Sequence, residues 1–122
     1  MASAPQFIDH NGKQILLMDF SGVRSTAEIT QTVEEIKKIV AQQQPRSLLG
    51  LVDFTGMPTS GESIKIIKGM AAHNRPYMKF IALVGLGFPR SVAFRVMLRF
   101  TGRKNHKVFG KREKALDWLG EK

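Results

Sequence analysis

The chain has 122 residues, enough for one ordinary domain that buries about two-thirds of its unfolded surface without disulfide or metal support. Hydrophobic residues make up 43% and charged residues 24%, which excludes disordered, collagen-like and membrane-spanning classes. The formal charge is +9 and cysteine is absent, which removes disulfides, thiolate nucleophiles and cysteine-ligated zinc in one step.

Phe7 and Ile8, the pair Asn11-Gly12 and the run Ile15 to Met18 predict an antiparallel hairpin, because Asn-Gly suits a tight turn with positive φ. Ser25 and Glu28 have capping-box spacing, and Ile29, Val33, Ile36 and Val40 then recur at helical intervals, so an amphipathic helix ends before Pro45. Leu48 to Phe54 is continuously apolar, as in a strand covered on both faces. Thr59 and Glu62 repeat the capping-box spacing; the helix they open is expected to bury Ile64, Ile67 and Ala71, turn Lys65 and Lys68 outward, and close at Pro76.

Met78 to Val84 predicts another buried strand. Pro89 opens a helix with Val92, Val96 and Phe100 inward, ended by Gly102. A short strand at Val108-Phe109 leads to a last helix containing Ala115, Leu116, Trp118 and Leu119. Strands alternating with helices favour parallel pairing through right-handed crossovers. The expected architecture is a single α/β domain over residues 1–122: a small mixed sheet entered by a hairpin, followed by successive βα units with about four helices. The first fourteen residues show neither an early basic cluster nor an apolar signal core, so a cytoplasmic location is expected.

Charge is distributed unevenly. Residues 1–61 carry five Lys/Arg against six Asp/Glu and residues 62–122 fourteen against four, so the net charge passes from −1 to +10. The dense basic stretch from Arg90 to Arg112 suits an anionic partner, namely an acidic protein, a small anion or a membrane surface. Arg95, Arg99 and Arg103 recur every four residues and share one side of their predicted helix, a face that fits anionic lipid. Nucleic acid ranks lower, because Tyr77, Phe80 and Trp118 fall in core segments rather than on an exposed stacking platform.

Motifs for catalysis are scarce. Leu17-Met18-Asp19-Phe20-Ser21-Gly22 echoes Leu51-Val52-Asp53-Phe54-Thr55-Gly56, and both phrases are expected where strands leave one edge of the sheet. Asp19 and Asp53 would then form a carboxylate pair able to hold Mg²⁺ or share a proton, the basis for a lower-ranked hydrolase or metal-dependent reading. Asp residues that cap turns account for the echo more simply. His10, His73 and His106 match no metal-ligand spacing, and no serine lies in a Gly-x-Ser-x-Gly elbow. Gly85-Leu86-Gly87 opens like a dinucleotide loop, but Arg90 stands where its third glycine belongs, so no cofactor is expected. Backbone amides near Gly87, together with Arg90, still form a candidate anion pocket.

In the loop Met57 to Ser63, hydroxyl residues stand at a helix start, where they cap or, once phosphorylated, switch partner binding. The hairpin, the strand-loop-helix from Asp53 to Ser63 and the closing Ala115-Leu116-Asp117-Trp118-Leu119 together resemble the STAS superfamily, especially the stand-alone SpoIIAA-like proteins, which are similar in fold to CRAL-TRIO lipid carriers. In phosphorylated antagonists of that superfamily an Asp-Ser-Ser-Gly phrase opens the second helix. Pro58-Thr59-Ser60-Gly61 occupies the similar place here, making Thr59 and Ser60 the matching hydroxyls and Gly61 the matching glycine, with Pro58 replacing the aspartate.

The resemblance implies a non-enzymatic binding or regulatory module. Its expected contacts to a protein or small anionic ligand are Asp53, Thr59, Ser60, Gly61, Gly87 and Arg90, with Arg95 and Arg99 on the adjoining helix. The alternative expectation is a protein for lipid or another apolar ligand, with a basic helix facing the membrane. A second copy of the chain is a further candidate partner.

Overall fold

A computed structural model describes residues 4–57, 60–85 and 105–122. Strands β1 (Gln6–His10) and β2 (Lys13–Asp19) form the expected antiparallel hairpin. Asn11 and Gly12 turn it with φ of 53° and 79°, a geometry their small or absent side chains tolerate. The chain continues through α1 (Thr26–Val40), β3 (Leu48–Asp53), α2 (Gly61–Asn74), a 3₁₀ turn (Arg75–Tyr77), β4 (Met78–Val84), β5 (His106–Phe109) and α3 (Arg112–Gly120). These five strands lie in one sheet in chain order, and the pairs β2–β3, β3–β4 and β4–β5 are parallel.

Alternation along the strands divides the core into two layers. Leu16 and Met18 of β2 pack with Val52 of β3 beneath Ile29, Val33 and Ile36 of α1 and Ile67 and Met70 of α2. Ile15 and Leu17 face the other way, where Leu49 and Leu51 meet Ala115 and Leu119 of α3. Every residue of β3 is buried, as its unbroken apolar run requires. Each fully buried Ile or Val contributes about 1.5–3 kcal/mol by leaving water, so the α1 stripe alone is a large part of what seats that helix.

Two details of α2 differ from the sequence expectation. Its N-cap is Ser60 rather than Thr59, because the Ser60 hydroxyl accepts the Ser63 N–H at 3.1 Å and the helix begins at Gly61. Its buried residues are Ser63, Ile67, Met70 and Asn74, a face rotated from the Ile64, Ile67 and Ala71 stripe. Periodicity counts Ser63 and Asn74 as outward because they are polar. Ser63 is nevertheless fully buried, with its hydroxyl donating to the Ser60 carbonyl at 2.9 Å. The helix expected from Pro89 to Gly102 lies outside the described residues, which contain three α-helices.

Candidate functional site

Parallel strands β2, β3 and β4 end on one edge of the sheet, with Asp19 beside Asp53 and Asp53 beside Val84. The repeated Asp-Phe phrases perform the same local task. Asp19 Oδ1 accepts the Ser21 N–H and Asp53 Oδ1 the Thr55 N–H, each at 2.9 Å, so both side chains close a turn on their own backbone. Phe20 N–H donates to the Asp53 carbonyl and Phe54 N–H to the Val84 carbonyl, each at 2.8 Å, which carries the strand ladder one step past the sheet. The two phenyl rings stack with centroids 5.7 Å apart.

In the second phrase Gly56 has a left-handed φ of 75°. At Gly85, φ is 80° and an added Cβ would collide with the Thr55 amide and hydroxyl and lie 2.8 Å from its Cα. The turn after β3 and the exit of β4 therefore touch, forming one continuous rim.

Asp19 and Asp53 do form a buried pair, 8% and 6% exposed, but a third residue lies between them. Arg112 opens α3 on the opposite face of the sheet and reaches over the rim. Its Nε and Nη2 donate to Asp53 Oδ2 at 3.2 and 2.6 Å, and Nη2 stands 3.4 Å from Asp19 Oδ2. A cation in the first turn of a helix opposes the helix dipole, and the two carboxylates offset that cost.

Burial by itself would raise the Asp53 pKa. Hydrogen bonds from the Thr55 hydroxyl and amide, followed by the hydrogen bond and charge of Arg112, outweigh it and hold the carboxyl below its ordinary 3.8. The same hydrogen bond to Asp53 raises Arg112 further above its usual range, with the nearby charges of Asp53 and Asp19 adding to it against burial. Both Asp53 oxygens are thus occupied, one by Thr55 and one by Arg112. Sequence reasoning placed Arg112 only within a basic stretch; its partner lies 59 positions away, and no spacing rule joins them.

Ser60, exposed at the start of α2, follows the same edge of the sheet and donates its hydroxyl to Ser63 Oγ at 3.1 Å. Gly61 is exposed and a Cβ there would meet nothing within 4 Å, so packing does not demand glycine at this position. Thr59, Gly87, Arg90, Arg95 and Arg99, the other expected contact residues, lie outside the described residues. The histidines are dispersed: His10 meets Asp117, His73 meets Asn74, and His106 meets Asn105. Among the described residues no group of three or more His, Asp or Glu could hold a metal ion. No helix in that set is long and apolar enough to cross a membrane.

The whole arrangement is similar to the crystal structure of an uncharacterized protein of the DUF3478 family with a SpoIIAA-like fold, from Shewanella loihica. The TM-score is 0.69, with 98% of this chain and 95% of that chain covered at 19% identity. The fold is SpoIIAA-like. No protein-family model and no curated protein matches the chain. Within this SpoIIAA-like fold, Ser60 and Gly61 open the second helix, the position at which the sequence resemblance aligned its hydroxyl-rich phrase.

Proposed function

We propose that the chain is a non-enzymatic SpoIIAA-like binding or regulatory module that docks an acidic protein or a small anionic ligand at the rim beside the start of α2. The observation that carries this reading is the exposed Ser60 cap on a 14-residue helix, on the same sheet edge as the Asp53 turn and the Gly85 exit. Amide groups of the first helical turn and the positive end of its dipole favour negative charge there. Arg112 supports the reading as well, because it offsets the carboxylates that would repel an anion. Both Asp53 oxygens are already engaged, which makes Asp53 a poor base and favours binding over hydrolysis at that residue. A phosphate on Ser60 would add about two negative charges at the cap and repel an acidic partner.

Titration with polyglutamate and with inorganic phosphate, followed through the backbone amide resonances, tests the proposal. Saturable shifts are expected at Gly61, Glu62 and Ser63, with at least about tenfold weaker polyglutamate binding in Ser60→Glu, as one lost charge-assisted contact implies. Thr59→Glu run in parallel separates the two hydroxyls. Absence of saturable shifts at these amides, or unchanged polyglutamate binding in both variants, would overturn it.

A further inference from the structure

On the α3 face of the sheet, three half-buried rings lie at the margin of the core. Phe80 of β4 meets Trp118 of α3 edge-on with centroids 5.6 Å apart, and Phe109 of β5 lies 5.6 Å from the same indole. The sequence expectation puts Phe80 and Trp118 in core segments; each instead keeps part of its surface in water. An irregularity in the sheet accounts for Phe80. The β3–β4 register pairs Leu48 with Met78 and Leu49 with Phe80, so Lys79 is an extra residue. Met78 therefore packs under α1 and α2, while Phe80, two positions on, turns to the α3 face.

Lysines border these rings. Lys122 Nζ stands 5.0 Å from the centroids of both Phe80 and Trp118, and Lys107 Nζ 5.4 Å from that of Phe109. Lys79 joins them, its ammonium donating to the Lys122 main-chain carbonyl at 3.4 Å. Lys114 lies four residues before Trp118 and shares its side of α3. The acids of α3 are turned elsewhere: Glu113 and Asp117 share a different side, where Asp117 meets His10 of β1 at 3.0 Å. Glu121, at the C-cap, is the acid next to Lys122 in the chain and is exposed. None of the four lysines forms an ion pair among the described residues. An ammonium keeps its water, so the ring faces beneath Lys122 and Lys107 open toward solvent.

We infer that this flank of α3 binds single-stranded nucleic acid, with a base stacked against Trp118 and neighbouring phosphates met by Lys79, Lys107, Lys114 and Lys122. Aromatic faces alone would suit many apolar partners, and lysines alone any polyanion. A chain that alternates flat rings with negative charges satisfies both. A duplex fits less well, since its bases are stacked inside and present no face to the indole. The surface lies across the sheet from α2, so the inference is independent of docking at the rim.

Trp118 is the sole tryptophan, so intrinsic fluorescence reads this surface directly. Titration with a short oligothymidylate is expected to quench it saturably. The logarithm of affinity should fall against log salt with a slope of about −2 to −3, as three or four lysine–phosphate contacts on a single strand imply. Polyglutamate, a polyanion without bases, should displace the oligonucleotide at least about fivefold more weakly, the least that one stacked base contributes. Lys107→Glu/Lys114→Glu changes two exposed positions and should weaken the oligonucleotide about tenfold or more. Trp118→Leu, followed by anisotropy of a labelled oligonucleotide and checked for folding by circular dichroism, should weaken it about fivefold or more. Ser60→Glu should leave binding unchanged. Absence of saturable Trp118 quenching, displacement by polyglutamate at equal concentration of charge, or affinity unchanged in the double lysine variant would overturn the inference, as would a loss in Ser60→Glu as large as in that variant.

Discussion

Arg112 is the residue on which the rim turns, and its energetics differ from those of an ordinary surface ion pair. Asp53 is buried, so removing its cation leaves a carboxylate that only Thr55 satisfies. The Arg112 side chain is 38% exposed, however, and water screens part of the attraction. Arg112→Ala is therefore expected to cost about 1–3 kcal/mol in urea denaturation, below the range for breaking a fully buried pair. Arg112→Lys should recover only part, since an ammonium cannot reproduce the planar fork that presents Nε and Nη2 to Asp53. If Arg112→Ala unfolds at the same urea concentration as the native chain, the clamp contributes nothing to stability. The aspartates were legible in the sequence as a repeated phrase, but the arginine was not: local signals extend over a few positions, and this contact joins the ends of β3 and α3 across the sheet.

At the scale of elements, the contact between two turns is more demanding than either turn alone. Gly85 combines a left-handed φ with a backbone neighbour that cannot yield, so Gly85→Ala should lose about 2 kcal/mol or more, measured by thermal or chemical unfolding. Gly56→Ala has the same conformational cost, but its nearest neighbour is the Ser21 carbonyl at 4.0 Å, so its loss should be about 1–2 kcal/mol. Equal losses in the two variants would show that packing against Thr55 is unimportant. Strand and helix positions were readable wherever an apolar period was uninterrupted, as in α1 and β3. In α2 the pattern misled, because the hydroxyl of Ser63 is satisfied within its own turn and so enters the core at little cost. A polar residue that meets its hydrogen-bonding needs locally is invisible to hydropathy.

At the scale of the whole molecule, His106 and Asp53 are the described groups whose shifted pKa values bear on stability between about pH 3 and 8. Burial, and then the charge of Arg75, depress the folded pKa of His106, so the unfolded chain takes up this proton first, and stability declines as pH falls from about 6.5 through the folded value. Asp53 is also depressed; its contribution is full above about pH 4 and is lost as pH falls through its lowered folded value. Melting temperatures across about pH 3–8 should consequently fall in two stages. His106→Gln should flatten the upper stage and Asp53→Asn the lower, and a variant that leaves its own stage intact would refute that assignment. The architecture at this scale was the most legible feature, since alternation of apolar strands with capped helices already implied a hairpin followed by βα units. The aromatic surface was not, because Phe80, Phe109 and Trp118 come from β4, β5 and α3, which meet only after folding.

The match between strand order and chain order has a consequence for biogenesis. During synthesis from the amino terminus, each described strand after β1 emerges to find its neighbour in the sheet already made. Growth of the sheet can follow translation, with α3 emerging after β5 to bring Arg112 over the edge already formed by β2 and β3.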